Sequence, residues 1–320
     1  MVNLGWAGTE SPFHRGELAI QARLGIQERM DQQGRRVIRD YLPDQFRQFF
    51  AQLLYVIVGS VDAVGNPWAS ILVGEPGFLS SSGDRTLQVV AKPLFGDPLA
   101  TTLADGIDIG LLGIELHTRR RNRLNGTVTG THLDGFEVQV RQSFGNCPQY
   151  IQARRFEISQ DRRSLPKLVH QITALGTAEQ DIITAADTFF IATAYQEKLA
   201  GAASGVDVSH RGGKPGFVRI DDHQTLTIPD FSGNGHFNTF GNLELNPRAG
   251  LLFVDFGQGN LLYLTGTAEV IWQDAEVNSY KGAERLFQFR LNQGYRVEGS
   301  FPLRGSDPEF SPFLNRTGSW

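Results

Sequence analysis

Residues 229–239 read Pro229-Asp230-Phe231-Ser232-Gly233-Asn234-Gly235-His236-Phe237-Asn238-Thr239, and a helical stretch follows. Small hydroxyls and amides placed just before a helix make an anion site. The first backbone N–H groups of a helix are unpaired, and its dipole favours negative charge there. Gly233 and Gly235 let the backbone come close to a ligand. Upstream, Ser209-His210-Arg211-Gly212-Gly213 adds a hydroxyl, an imidazole and a guanidinium. His210 and Arg211 can give charge-assisted hydrogen bonds to a phosphate or a carbonyl oxygen. The candidate ligand-binding set is therefore Ser209, His210, Arg211, Asp230, Ser232, Asn234, Asn238 and Thr239. The competing reading is an ordinary loop and cap.

Other candidates carry less. Arg119-Arg120-Arg121 with Arg123 is the densest positive charge. It reads as a solvated turn before a strand, with an anion contact as the alternative. Cys147 reads as a small buried hydrophobe. His14, His117, His132, His170, His223 and His236 have no metal-site spacing and read as structural. There is no nucleophile elbow and no P-loop, and Gly257-Gln258-Gly259 reads as a hairpin turn.

The elements that position these residues occur twice. Leu124-Asn125-Gly126-Thr127 returns 140 positions later as Leu264-Thr265-Gly266-Thr267, and Gly110-Leu111-Leu112 as Gly250-Leu251-Leu252. Pro76-Gly77-Phe78 returns as Pro215-Gly216-Phe217. A period this long indicates a duplicated domain. Aligned on the repeat, Ser70-Ile71-Leu72 stands opposite Ser209-His210-Arg211, apolar in one copy and polar in the other. Ser11-Pro12 predicts a helix start. Pro43-Asp44 opens a second helix, with Phe46, Phe49, Phe50 and Leu53 on one face. Thr177-Ala178-Glu179-Gln180 is a capping box. A strand follows each prologue, at 54–61 and 189–194.

Short strands and turns then continue at 68–73, 86–91, 109–115, 123–131 and 136–144 in copy one. In copy two they fall at 205–209, 217–220, 225–228, 249–255 and 261–271, with a late strand near 295–301. One helix is inserted in each copy, near 98–105 and 237–246. This pattern predicts two small closed barrels. The expected divisions are an N-terminal helical segment over 1–42, a first barrel over 43–160, and a linker helix (162–175) with the second barrel and C-terminal segment over 161–320.

Composition narrows the function. Thirty Lys and Arg against 34 Asp and Glu give a net charge of −4, with no basic footprint for nucleic acid. No run of 18 apolar residues spans a membrane, and residues 1–16 lack an apolar signal core. A cytoplasmic location is expected. The single cysteine has no partner for an internal disulfide.

The 230–239 loop, Asn246-Pro247 and the strand through Leu264-Thr265-Gly266 resemble the pyridoxamine 5′-phosphate oxidase-like, FMN-binding split β-barrel family. Copy one echoes it through Gly65-Asn66-Pro67-Trp68 and the arginine run to Gly126. The opening Ser11-Pro12-Phe13-His14-Arg15-Gly16-Glu17 and the middle Asn146-Cys147-Pro148-Gln149-Tyr150-Ile151 are similar to a tandem two-barrel subgroup. The resemblance implies a mainly β fold with flanking helices, two tandem split β-barrels forming an internal pseudo-dimer, and FMN in the groove between them. It implies phosphate held by the copy-two loop with Ser209 and Arg211, while Trp68, Lys92 or residues 119–123 of copy one face the same groove. The function it implies is an oxidoreductase acting on a small-molecule substrate or redox partner, as a monomeric pseudo-dimer or a homodimer. The alternatives are a non-catalytic flavin-binding or sensor module, or the same fold holding haem or a deazaflavin. The chain has no match to the oxidase's pyridoxal-phosphate-binding residues, so the resemblance stops short of that reaction.

Overall fold

A computed structural model describes residues 5–159, 161–162, 166–197, 201 and 203–320. Three helices open the chain: α1 (Arg15–Arg23), α2 (Gln27–Val37) and α3 (Asp44–Ala51). The cap of α1 is His14, not the Ser11 expected from the Ser-Pro pair. His14 Nδ1 accepts from the Gly16 N–H at 3.1 Å, and the Glu17 carboxylate accepts from the His14 N–H at 2.9 Å. The Ser11 hydroxyl instead donates to Asp31 at 2.6 Å, tying the entry segment to α2.

The first barrel comprises β1 (Tyr55–Val61), β2 (Pro67–Val73), β3 (Leu79–Ser80), β4 (Thr86–Val89), helix α4 (Leu99–Thr102), β5 (Asp108–Glu115), β6 (Arg120–His132) and β7 (Gly135–Gly145). Then come β8 (Phe156–Ile158), β9 (Val169–Ile172) and helix α5 (Thr177–Ala185). The second barrel comprises β10 (Thr188–Tyr195), β11 (Gly205–Gly212), β12 (Arg219–Ile220), β13 (Thr225–Phe231), α6 (Asn238–Leu245), β14 (Arg248–Val254), β15 (Leu261–Ile271), α7 (Ala275–Ser279) and β16 (Ala283–Val297). Strand β17 (Leu303–Gly305) pairs with β8.

Strand order in the first sheet is β2-β1-β5-β6-β7-β4-β3, and in the second β11-β10-β14-β15-β16-β13-β12. Raising each label of the first by nine gives the second. Both are antiparallel split barrels, each filled by its own apolar core. The repeated sequence marks matching structural needs. β7 bulges at Arg141, opposite Asn125 and Gly126 of β6, and β16 bulges at Asn292, opposite Thr265 and Gly266 of β15. A Cβ on Gly126 would lie 2.2 Å from the Gln139 carbonyl oxygen, and one on Gly266 would lie 2.0 Å from that of Arg290. The bulge needs glycine in both copies.

A third apolar cluster joins the barrels, with Ile57, Ile71 and Leu112 from one and Phe190, Val208 and Leu252 from the other. The pseudo-dimer is thus held by burial of β1, β2 and β5 against β10, β11 and β14.

Two expectations need correction. Of the linker helix expected over 162–175, Arg162 is helical but residues 169–172 form strand β9, because Val169–Ile172 pairs with the free edge of β16. Residues 163–165 of that prediction lie outside the described residues. The late strand is β16, which begins at Ala283. Its mixed composition hid it, because one barrel-facing side alternates with a wet one. The N-terminal segment packs on the second barrel: Arg23 pairs with Glu244 at 2.8 Å and the Asn238 amide donates to Glu17 at 2.5 Å, so α1 lies on α6. No described helix is long and apolar enough to cross a membrane.

Candidate functional site

A cavity of about 770 Å³ opens between the barrels beneath α1 and α2. Second-barrel strands β11 and β13, the 232–237 loop and the start of α6 form one side. Arg121 and Arg123 of β6, with Asn146 and Cys147 just after β7, form the other. Leu24, Ile26 and Met30 close it from above.

Eight of the ten sequence-predicted residues converge here: Ser209, His210, Arg211, Asp230, Ser232, Asn234, Asn238 and Thr239 all line the cavity. Trp68 and Lys92 do not. Trp68 is 2% exposed in the inter-barrel core, where its indole donates to Asp62 at 3.1 Å. Lys92 is exposed and pairs with Asp134 at 3.1 Å.

The floor is a buried polar network. Arg123 donates to Asp207 at 2.7 Å and also to the Ser209 hydroxyl. The amides of Asn125 and Asn242 donate to the same carboxylate at 2.8 and 2.9 Å. Thr239 and Ser209 share a hydrogen bond of 3.2 Å. This network joins β6 of one barrel to β11 and α6 of the other, so it fixes the cavity walls relative to each other. Asp230 is 3% exposed and neutralises two arginines, Arg211 and Arg285, the latter at 2.6 Å. Arg211 also lies 4.8 Å over the Phe240 ring.

Arg121 differs from these. It donates to the carbonyls of Cys147 and His210, at 2.7 and 3.5 Å, and has no carboxylate partner among the described residues. Burial lowers its guanidinium to about 10, against the Cys147 thiol and with help from Arg123 and Arg211. It still carries its charge at neutral pH. His210 is pushed well below its ordinary value by burial and by Arg121 and Arg211. The imidazole is therefore neutral at pH 7. Its Nε2, with Asn146 Nδ2 and Arg211 Nε, is buried with no hydrogen-bond partner among the described residues. Helix α6 is also uncapped by any side chain, and its N-cap Phe237 has φ 62°. Among the described residues no His, Cys, Asp and Glu group is suited to a metal ion.

The arginine run reads from its residues as a solvated turn, with an anion contact as the alternative and a place at the groove implied by the resemblance; Arg121 and Arg123 line the cavity. Strand alternation was the available signal. From Arg120 onward, alternate residues of β6 face opposite sides, so 121 and 123 turn inward while Arg120 lies over the Phe49 ring.

The repeat defines a mirror position across the interface. There Ser70 stands for Ser209, Trp68 for Asp207 and Tyr263 for Arg123. It is filled. Asp97 accepts from Ser70 at 2.5 Å, Tyr263 at 3.1 Å and the Leu99 N–H at 2.8 Å, and Trp68 packs on Tyr295 at 5.6 Å.

His236 gives the site a pH signature. It is 2% exposed between the rings of Phe13 and Phe144, and neither ring nitrogen has a partner among the described residues. Burial, aided by Arg123, lowers it from 6.5 to about 4. A histidine held neutral contributes stability that is complete above its ordinary pKa and is lost as pH falls toward the depressed one. His14 is lowered to about 4 in the same way, chiefly by burial. Asp97, pushed up to about 6 by burial, works in the opposite direction as pH falls. Replacing His236 with phenylalanine is expected to reduce the loss of stability between pH 6.5 and about 4.5 by about 2 kcal/mol. Urea unfolding at the two pH values measures this; equal losses in both proteins would refute it.

The family model of pyridoxamine 5′-phosphate oxidase matches residues 175–301. Among curated proteins none matches the chain. Among solved structures, the chain is similar to HupZ from Group A Streptococcus, with 17% identity, 37% of this chain and 89% of that one covered, and a TM-score of 0.28. It is similar to a FAD-binding protein from Mesorhizobium loti (14% identity, 41% and 98% covered, TM-score 0.27). It is also similar to the FAD-binding protein from Mycobacterium smegmatis (12% identity, 40% and 98% covered, TM-score 0.27). The match to the pyridoxamine 5′-phosphate oxidase model thus falls on residues 175–301, the span of the second barrel.

Proposed function

We propose that the chain is a flavoprotein that holds one FMN in the inter-barrel cavity and acts as an oxidoreductase on a small substrate. The observation that carries this reading is the unneutralised charge of the cavity. Arg121 has no carboxylate partner, and the orphaned donors Asn146 Nδ2 and Arg211 Nε border the same space. An uncompensated cation in such a place is costly unless an anion arrives. A phosphate meets that need, and the family resemblance selects FMN among phosphate-bearing cofactors. The volume is in the range that takes a ligand of this size.

Ser209, Arg211, Ser232, Asn234 and the free N–H groups at the start of α6 would hold the phosphate. Leu24, Ile26, Met30 and Phe237 offer apolar wall to a ring system and exclude water from it. When bound, the flavin supplies the hydride or electron chemistry. His210, neutral and with a free Nε2, offers one hydrogen bond whose sense depends on its tautomer. Arg121 and Arg123 place fixed positive charge where a reduced, negatively charged group gains stability. One chain supplies both barrels, so the site needs no second subunit.

The absorption spectrum of the purified protein is the direct test. Flavin bands and uptake of FMN that saturates at one per chain are expected, because the mirror position is filled. A colourless protein that takes up no FMN would sink the reading, and two FMN per chain would sink the asymmetry. Reduction of the bound flavin by NAD(P)H or a redox partner separates an enzyme from a carrier or sensor module. A second reading, haem, draws on the neutral His210 with its free ring nitrogen. A Soret band lost in His210→Ala would identify it.

A further inference from the structure

A second cavity, of about 710 Å³, lies between α5, the end of β14, the 257–260 turn and residues 305–308. It shares no residue with the first. Its charge is the opposite. Five carboxylates line it against two guanidinium groups, those of Arg154 and Arg296. Both arginines are already engaged: Arg154 holds Asp187 in a two-pronged pair at 3.0 and 2.6 Å, and Arg296 holds Glu298 and also Glu179, the latter at 2.7 Å. Asp181, Asp255 and Asp307 have no ion-pair partner among the described residues. Asp255 accepts the Gly257 and Gln258 N–H groups of its own turn at 3.0 and 2.9 Å, and the Asn260 side-chain amide at 3.3 Å.

An independent feature points to a ligand. Thr188 lines the same cavity and is 2% exposed, and its hydroxyl has no hydrogen-bond partner among the described residues. A buried hydroxyl left unpaired costs free energy that a ligand donor or acceptor recovers. A bare metal ion does not fit, since no described cluster of His, Cys, Asp and Glu is arranged to hold one. Ile182, Val254 and Phe256 add apolar wall between the acidic groups.

We propose that this cavity binds a short linear aliphatic polyamine, with ammonium groups at Asp181, Asp255 and Asp307, a hydrogen bond to the Thr188 hydroxyl, and the methylene stem on the apolar wall. Three unpaired carboxylates match a ligand of three positive charges. An ammonium is a point charge with several donors and no acceptor, so it suits hydroxyl and carboxylate oxygens alike.

Isothermal titration of the full chain with spermidine at low salt tests this. Binding is expected, and Thr188→Val is expected to weaken it about tenfold, the worth of one hydrogen bond to a charged group. The double variant Asp181→Asn/Asp307→Asn, at two exposed positions that leave the fold alone, is expected to weaken it by at least about tenfold. FMN uptake should stay unchanged in both variants. The proposal is overturned if spermidine does not bind, if neither variant alters its affinity, or if magnesium chloride binds more tightly with the same dependence on Asp181 and Asp307.

Discussion

Arg211→Ala is expected to weaken FMN binding by about tenfold to a hundredfold, while Arg120→Ala leaves it unchanged, in a fluorescence titration of the flavin-free protein. A charge-assisted hydrogen bond to a phosphate contributes about 1.5–3 kcal/mol, which sets that range. Arg211 reaches the cavity with a buried Nε that bonds nothing else, and it is held in place by Asp230 and the Phe240 ring. Its loss also leaves Asp230 to Arg285 alone and makes the cavity less positive. Arg120 sits one residue away from the cavity-lining Arg121 and on the other side of β6. The comparison therefore separates cavity charge from total charge, which both variants lower equally. Arg121→Ala should behave like Arg211→Ala, with partial recovery in Arg121→Lys, because lysine restores the charge without the planar fork. Equal affinities for the Arg211 and Arg120 variants would remove the site from the second barrel.

The second-barrel half of this cavity was legible because its chemistry is local. Gly233, Asn234 and Gly235 lie next to the helix they precede, and Ser209 to Arg211 stand where the other copy is apolar. The first-barrel half was reached only through the resemblance, which offered residues 119–123 beside Trp68 and Lys92. Arg121 and Arg123 belong to the cavity only because the inter-barrel core brings β6 beside β11, and no spacing along the chain encodes that contact. The roof was hidden for the same reason: Met30 and the 232–237 loop are far apart in sequence. Trp68 and Lys92 went astray through the symmetry itself. The resemblance placed first-barrel residues in one shared groove, but the pseudo-two-fold axis makes two positions, and Trp68 occupies the mirror one as the counterpart of Asp207.

That substitution explains how two alike barrels come to hold unlike sites. Asp207 accepts from Arg123, Asn125 and Asn242, which keeps a polar floor and an open space above it. With Trp68 and Tyr263 at the corresponding places, the same backbone closes over aromatic rings and a hydrogen bond to Asp97. Packing rather than ligand then stabilises that half of the interface. The shared scaffold is preserved where the barrels touch.

Gly250→Ala is therefore expected to destabilise the protein by about 1–3 kcal/mol and to lower FMN affinity with it. Gly110 and Gly250 are the same position of the repeat, on β5 and β14. A Cβ on Gly250 would come 2.3 Å from the carbonyl oxygen of Pro67, and one on Gly110 would come 2.5 Å from that of Val206. Each contact is with backbone of the opposite barrel, which no side-chain rotation relieves. The barrels would have to separate by a fraction of a bond length along a close-packed core, and cores do not yield cheaply to such shifts. Because Arg123 and Ser209 meet across the same interface, a small separation also loosens the cavity floor. Gly83→Ala is the control, since a Cβ there meets nothing within 4 Å. Urea midpoints and FMN titrations of the two variants decide the matter. If Gly250→Ala and Gly83→Ala are equally stable, the repeated glycine is not what allows the barrels to dock, and the cavity must be held together by the polar network of Arg123 and Asp207 alone.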